Sequence, residues 1–344
     1  MSTNKNSKYN KQLNLVVDMY GCPNRCKHCW IGHVDYQQME TDADVYIVNY
    51  FQPYFDKIAF YSWLREPDFT GDYEKRWNRD LKISVNCKPK RYELASFYQL
   101  NRDSEYVHFL KKIGVKKVQL TFFGMKHMTD FYIGRTGAFE ELLNAVNILL
   151  EHGIVPRFQL FINQENKEDI VEFMAFTKSL ELEKRCREIG QEFEMFVHEG
   201  SCDGENAKLY DIRINREDIP EEVIPYYMNY GELMTEQECC ELLKDSEEIF
   251  TYHNEEDITL NITSDMDIYF NFTNVSKAWK IGNLLEDCRE ELIEKIVGED
   301  TEALRKSRQV RIGTLVRKYG DFQSHRVFLL NDFKAYLLNC FIES

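Results

Sequence analysis

Three cysteines, Cys22, Cys26 and Cys29, fall within the stretch "YGCPNRCKHCW", spaced C-x3-C-x2-C directly after the apolar run "LNLVVDM" (13–19). Three thiolates on one short loop are soft ligands suited to zinc or iron–sulfur chemistry. Structural zinc sites usually take two separated ligand pairs that tie distant segments together. A zinc site of three cysteines plus His28 is conceivable, although adjacent His28 and Cys29 rarely both face one ion. A cubane iron–sulfur cluster suits the spacing better, because three cysteines leave one iron without a protein ligand. That iron is a place for a substrate or cofactor. Packed cysteines with no ligand role are the remaining reading.

The elements around this loop follow a repeating pattern of a short apolar run and a longer helix-like segment. Strands are expected at 13–19, 57–62, 81–86, 115–123, 155–162 and 193–199. Helices are expected from a capping Thr41 or Asp42, over "AFEELLNAVNILLEHG" ending at Gly153, and over "NKEDIVEFMAFTKSLELEKRCREIG" ending at Gly190. Strand–helix alternation of this kind predicts βαβ units with a parallel sheet and right-handed crossovers. Six units by residue ~200 predict an α/β fold, a partial (β/α)6 TIM-like barrel. The last third is acidic, with shorter strands expected at 258–264 and 267–273 and helices near 286–297 and 329–342. The expected division is a tail over 1–12, a core over 13–205 and a C-terminal α+β cap over 206–344. In parallel sheets chemistry sits at the carboxyl ends of the strands, where the cysteine loop falls.

Spacing and position together resemble the signature of the radical S-adenosylmethionine (radical SAM) superfamily, C-x3-C-x-aromatic-C, with His28 in the aromatic position. Further matches run in the family's order. In "FYSWLREPDF", Glu66 and Pro67 match the Gly-Gly-Glu-Pro element that contacts the cofactor's amino group, while Leu64 and Arg65 replace its glycines. "VQLTFFGMKHMTDFYIGRTGAFEELLNAVNILLEHGI" looks like the fourth-strand block of peptide- and protein-modifying members. There Thr121 matches the polar residue bonded to the cofactor's carboxylate, and Gly124 and Gly137 match turn glycines. "FQLFINQENKEDI" is similar to the fifth strand, with Asn163 or Asn166 at its end. Arg157 either neutralises the cofactor carboxylate or serves as a surface ion-pair partner. "IGNLLED" (281–287) resembles the twitch or SPASM extension, but Asn271 stands near the place where a cysteine would ligate an auxiliary cluster.

The resemblance implies a single [4Fe–4S] cluster on Cys22, Cys26 and Cys29, with S-adenosyl-L-methionine contacted by His28, Glu66, Thr121, Arg157 and Asn163. It implies reductive cleavage of that cofactor to a 5′-deoxyadenosyl radical, with an electron from a flavodoxin- or ferredoxin-type donor, and hydrogen abstraction from a substrate. A peptide or protein side chain is favoured; a small molecule such as a sugar or amino acid is the alternative, and a non-catalytic iron–sulfur or zinc-binding protein is a third. In "HEGSCDGEN", Cys202 is a candidate hydrogen-atom donor, with packing as its plain alternative. His198 and Glu199 are candidates for acid–base work or for a loop cap and ion pair.

Composition sets the bounds. The 344 residues carry 43 basic and 58 acidic side chains, a formal charge of −15. A surface so acidic disfavours a nucleic-acid partner. The basic run 304–318 reverses the sign locally, as a solvated face or an anionic-partner patch. No apolar run approaches the ~20 residues of a membrane span. The polar start "MSTNKNSKYNKQ" lacks a signal peptide's apolar core, so a cytoplasmic location is expected. Fewer than fifteen residues precede the first strand, which argues against a leader-peptide-binding domain there.

Overall fold

A computed structural model describes every residue except 1–7, 20, 30, 34–38, 40–41, 63–65, 67, 92, 203, 251–256 and 271–274. Thr41, Leu64, Arg65, Pro67 and Asn271 therefore lie outside the described residues. In chain order the elements open with β1 (Tyr9–Val17), α1 (Ala43–Phe51), β2 (Phe55–Tyr61), α2 (Tyr73–Ile83), α3 (Phe97–Leu100), α4 (Ser104–Lys112) and β3 (Lys117–Phe122). Then come α5 (Lys126–Ile133), α6 (Ala138–Glu151), β4 (Val155–Phe161), α7 (Lys167–Ser179), α8 (Leu182–Glu188) and β5 (Glu194–His198). The last third holds β6 (Met234–Thr235), α9 (Glu236–Leu243), β7 (Asp257–Ile262), β8 (Asp267–Tyr269) and β9 (Lys280–Asn283). It ends with α10 (Arg289–Val297), α11 (Glu302–Ser307), α12 (Ile312–Tyr319), β10 (Val327–Phe328) and α13 (Leu330–Glu343).

These elements form two compact units, each built from discontinuous chain. The first unit, Met1–Pro23, Val34–Lys90 and Thr251–Gln309, holds a five-stranded sheet in the order β2-β1-β7-β8-β9. Strand β1 runs parallel to both β2 and β7, whereas β8 and β9 add antiparallel. Successive strand residues face opposite sides. Leu13, Leu15 and Val17 on β1 and Ile258, Leu260 and Ile262 on β7 enter one core with Ile47, Phe51 and Ile293 of the helices. Each such side chain contributes roughly 1.5–3 kcal/mol on burial. Gln12, Asn14 and Val16, with Thr259 and Asn261, occupy the opposite face.

The second unit, Asn24–His33, Arg91–Phe250 and Val310–Ser344, holds the parallel sheet β3-β4-β5 and the antiparallel pair β10-β6. Val118, Leu120, Phe122, Phe158 and Leu160 are buried on one face of its parallel sheet. The other face is polar, with Gln119, Thr121, Arg157, Gln159 and His198 partly exposed.

Two expectations require correction. The run 81–86 is not a strand: residues 81–83 close α2, and Ser84 ends that helix by donating to the Asp80 carbonyl at 2.7 Å. Only Val85 then pairs, in a lone antiparallel bridge to Ile58. The β-branched residues Ile83 and Val85 pack against the first unit's core from a helix end. Likewise the expected helix over 166–190 is broken, because Glu181 takes a left-handed conformation (φ 50°) between α7 and α8. Asp42 does sit at the N-cap of α1, though without a side-chain cap bond.

Candidate functional site

Cys22 lies five residues beyond the end of β1, in the first unit, and Cys26 and Cys29 lie in the segment 24–33 of the second. All three are partly exposed. Segment 24–33 is fixed to the carboxyl end of α5 by its backbone: the Arg25 and Lys27 N–H groups donate to the Ile133 and Tyr132 carbonyls at 3.0 and 2.7 Å. Helix carbonyls at that end lack intrahelical partners, so the loop satisfies them. Arg135 donates from Nε to the buried Asn24 Oδ1 at 3.0 Å and pairs with Glu141 at 2.7 Å. Lys27 lies 3.9 Å over the Phe131 ring. Within the segment, the Cys29 N–H donates to the Cys26 carbonyl and the Cys29 thiol to the Gly32 carbonyl at 3.3 Å.

Gly134 permits this close docking. It ends α5 with φ 72°, and a β-carbon there would stand 2.6 Å from the Arg25 carbonyl oxygen. Gly124 serves the helix's other end: at φ 123° it leaves room for Asp169, whose carboxylate accepts from the Met125 N–H.

His28, between two of the cysteines, lies against two aromatic rings. Its centroid is 4.5 Å from Phe123 and 5.3 Å from Phe161. Burial, then His198 and Lys208, push its pKa down to about 3, so the ring is uncharged at neutral pH. Its Nδ1 is buried without a hydrogen-bond partner. An uncharged ring with an orphaned nitrogen in an apolar aromatic niche fits a flat heteroaromatic ligand.

The polar sheet face forms layers. Nearest the strand starts, Arg157 pairs with Glu93 at 2.6 Å and with Glu194 at 3.7 Å, and lies 4.5 Å over Phe196. Its charge is thus matched by two carboxylates, away from the strand ends. In the next layer Gln119 and Thr121 bond Gln159 at 2.6 and 2.9 Å, and the Gln159 amide abuts His198 Nε2. The Gly200 N–H donates to His198 Nδ1 at 3.1 Å. Burial and then Arg213 bring His198 down to about 4, so its single ring proton sits on Nε2. For the Gln159 oxygen to accept that proton the Gln119 amide must turn with it, so that Gln119 Oε1 and Thr121 Oγ1 accept from Gln159 Nε2.

Asn163 is buried and fully engaged. Its Nδ2 donates to Tyr132 Oη at 2.8 Å, and its Oδ1 accepts the Glu165 and Asn166 N–H groups. Asn166 donates to the Phe123 and Phe161 carbonyls at 2.9 and 2.7 Å, joining the ends of β3 and β4. Cys202 has no exposed surface; Arg213 donates to its Sγ at 3.2 Å. Arg213 also bonds the Gly200 carbonyl at 2.8 Å and the buried Glu199 at 3.1 Å, whose other oxygen accepts from Tyr227 at 2.7 Å. Glu199 is thus an ion-pair partner rather than a poised base.

In the first unit Glu66 is partly buried five residues beyond β2. The start of its segment is held by Asp80, which accepts from both the N–H and the hydroxyl of Ser62 at 3.0 and 2.8 Å.

Thus the structure gathers His28, Phe123, Phe161, Asn163, Thr121 and His198 at one end of one sheet. It sets Arg157 at the other end and Cys202 inside packed protein. Asn24, Tyr132 and Arg135 went unread in the sequence, although Arg135 lies within the quoted "GRTGAF". Among the described residues no three His, Cys, Asp or Glu side chains converge on one metal ion.

An α/β chain with parallel strands at the heart of two sheets and a three-cysteine loop beyond β1 has the partial TIM-like barrel fold. Residues 16–177 match the model of the Radical SAM superfamily. The fold is shared with a solved structure described as native anSMEcpe with bound AdoMet, at TM-score 0.54 and 13% identity over 96% of this chain and 97% of that one. A second, native anSMEcpe with bound AdoMet and Kp18Cys peptide, aligns at TM-score 0.54 and 14% identity over the same shares. A third, with Cp18Cys peptide, gives 0.51 and 13%. No curated protein matches the sequence. Among the described residues no helix is long and apolar enough to cross a membrane.

Proposed function

We propose that the chain is a radical SAM enzyme acting on a peptide or protein side chain. The observation that carries this is the docked segment 24–33, which holds Cys26 and Cys29 partly exposed on a backbone fixed to α5, with Cys22 supplied from the end of β1. Cys22, Cys26 and Cys29 are the residues to hold a [4Fe–4S] cluster. His28, Glu66 and Thr121 are those to contact S-adenosylmethionine. When bound, these groups supply a 5′-deoxyadenosyl radical able to take a hydrogen atom from a substrate, given one electron from a flavodoxin- or ferredoxin-type donor.

The chain's own residues bind, orient and exclude water. His28 offers an uncharged face, backed by Phe123 and Phe161. Asn163, with every group engaged, orients Tyr132 and the 163–166 turn rather than reaching out to a ligand. Arg157 and Cys202 receive no direct role in this reading. The peptide-bound anSMEcpe structure shares the fold, and the polar uncharged layer of Gln119, Thr121, Gln159 and His198 suits a neutral hydrogen-bonding substrate.

The test is deuterium transfer. The reconstituted protein is incubated with S-adenosylmethionine, a reductant and either the peptide-and-protein fraction or the small-metabolite fraction of deuterated cells. Deuterium in 5′-deoxyadenosine from the first fraction alone is expected. Transfer only from the metabolite fraction would overturn the peptide assignment.

A further inference from the structure

The C-terminal third of the chain adds a strand beside β1, and that strand carries a buried amide with an unused oxygen. Asn261 is 1% exposed, and its Oδ1 has no hydrogen-bond partner. It stands on β7 opposite Val16 of β1 and opposite Tyr269 of β8. By alternation from the core-facing Leu260 and Ile262, its side chain belongs to the face that holds Asn14 and Thr259. One layer back toward the strand start, Gln12 donates to Asn14 at 2.8 Å and Asn14 to Thr259 at 3.2 Å, so the Asn14 amide is engaged at both its oxygen and its nitrogen. Asn261, next toward the carboxyl end, is not.

Buried polar groups in folded proteins nearly always find a partner, and the exceptions call for an explanation. Here the position supplies one. Because β7 runs parallel to β1, its carboxyl end lies at the end of β1 from which the cysteine loop leaves, the end where parallel α/β sheets take their ligands. Resting on the function proposed above, we propose that Asn261 is a substrate-binding residue that pairs with a backbone amide of a peptide substrate. A carboxamide offers one acceptor and two donors and so matches another amide. On the same row Lys280 stands opposite Tyr269 with its ammonium matched by Asp267 at 2.6 Å, which disfavours an anionic ligand. Tyr269, on the neighbouring strand, places a ring beside the amide.

The test combines stability with a minimal probe. Asn261→Leu keeps the branched shape and removes the polar atoms. Thermal melts of wild type and variant are compared. Saturation-transfer NMR then measures contact of the reconstituted protein with N-acetyl-alanine N-methylamide, a single residue flanked by two peptide bonds, with free alanine as the comparison. The proposal expects the variant to melt no lower than wild type, because an orphaned group has been removed. It also expects transfer to the probe, but not to alanine, at least fivefold weaker in the variant. A melt several degrees lower, equal transfer in both proteins, or none in wild type would overturn it. Release of 5′-deoxyadenosine by the wild type is read in parallel. Release together with a failed probe arm removes only the role of Asn261; a successful probe arm without release removes only the enzyme reading.

Discussion

Gly134 lies so close to Arg25 that a β-carbon at position 134 would stand 2.6 Å from the Arg25 carbonyl oxygen. The cysteine segment and the end of α5 meet backbone to backbone at this point, with the Arg25 N–H on the Ile133 carbonyl. Gly134→Ala should therefore push the segment off the helix and also carry the cost of a left-handed alanine, of order 1 kcal/mol. The expected outcome is a protein with near-native circular dichroism that retains less than half of the wild-type iron after reconstitution. Full iron content would show that the contact does not position the loop.

Arg135 holds the same segment through its side chain. Arg135→Met keeps the stem that covers apolar surface but removes the bonds to Asn24 and Glu141. The loss expected is about 1–3 kcal/mol, the range for breaking a charge-assisted bond to a buried group. Iron loading should fall in parallel, and Arg135→Lys should recover only part, since lysine lacks the fork that reaches both partners. Chemical denaturation and iron analysis of the two variants check this.

His198 sets a pH dependence with a definite sign. Folded, it titrates near 4; unfolded, near its ordinary 6.5. Between those values the unfolded chain binds the additional proton, so stability should fall as pH is lowered through that window. With allowance for its partly exposed ring, the contribution is about 1–2 kcal/mol. His198→Gln should flatten the slope of stability against pH between 6.5 and 4, as measured by urea titrations.

Arg213 links that histidine to the loop after β5. Removing its charge with Arg213→Met strands Glu199, and breaking a buried pair costs about 3–5 kcal/mol. Arg213→Met combined with Glu199→Gln should recover part of that loss. Because Arg213 is also a cause of the depressed His198 pKa, the double variant should titrate His198 at higher pH by NMR.

Much of this arrangement was legible in the sequence. Alternating apolar runs located β1 through β5, and the cysteine spacing marked the loop without any structure. The run 81–86 misled because Ile83 and Val85 have the apolar, β-branched character of a strand, yet bury it from a helix end and a single bridge. Nothing local reveals that β7 pairs with β1 across some 240 residues, since register of that range is fixed by packing and not by propensity. Arg157 was ambiguous for a similar reason: Glu93 and Glu194, which match its charge, are distant in sequence. The orphaned oxygen of Asn261 is visible only once its neighbours are known.

In the proposed function Cys22, Cys26 and Cys29 hold a cluster that works with S-adenosylmethionine. The most direct measurement is anaerobic reconstitution with iron and sulfide, followed by quantitation of 5′-deoxyadenosine formed from S-adenosylmethionine under reductant. The expected result is a brown wild-type protein that releases 5′-deoxyadenosine, with loss of both colour and product in Cys22→Ala, Cys26→Ala and Cys29→Ala. A colourless, zinc-loaded wild type, or a brown protein that leaves the cofactor intact, would contradict it.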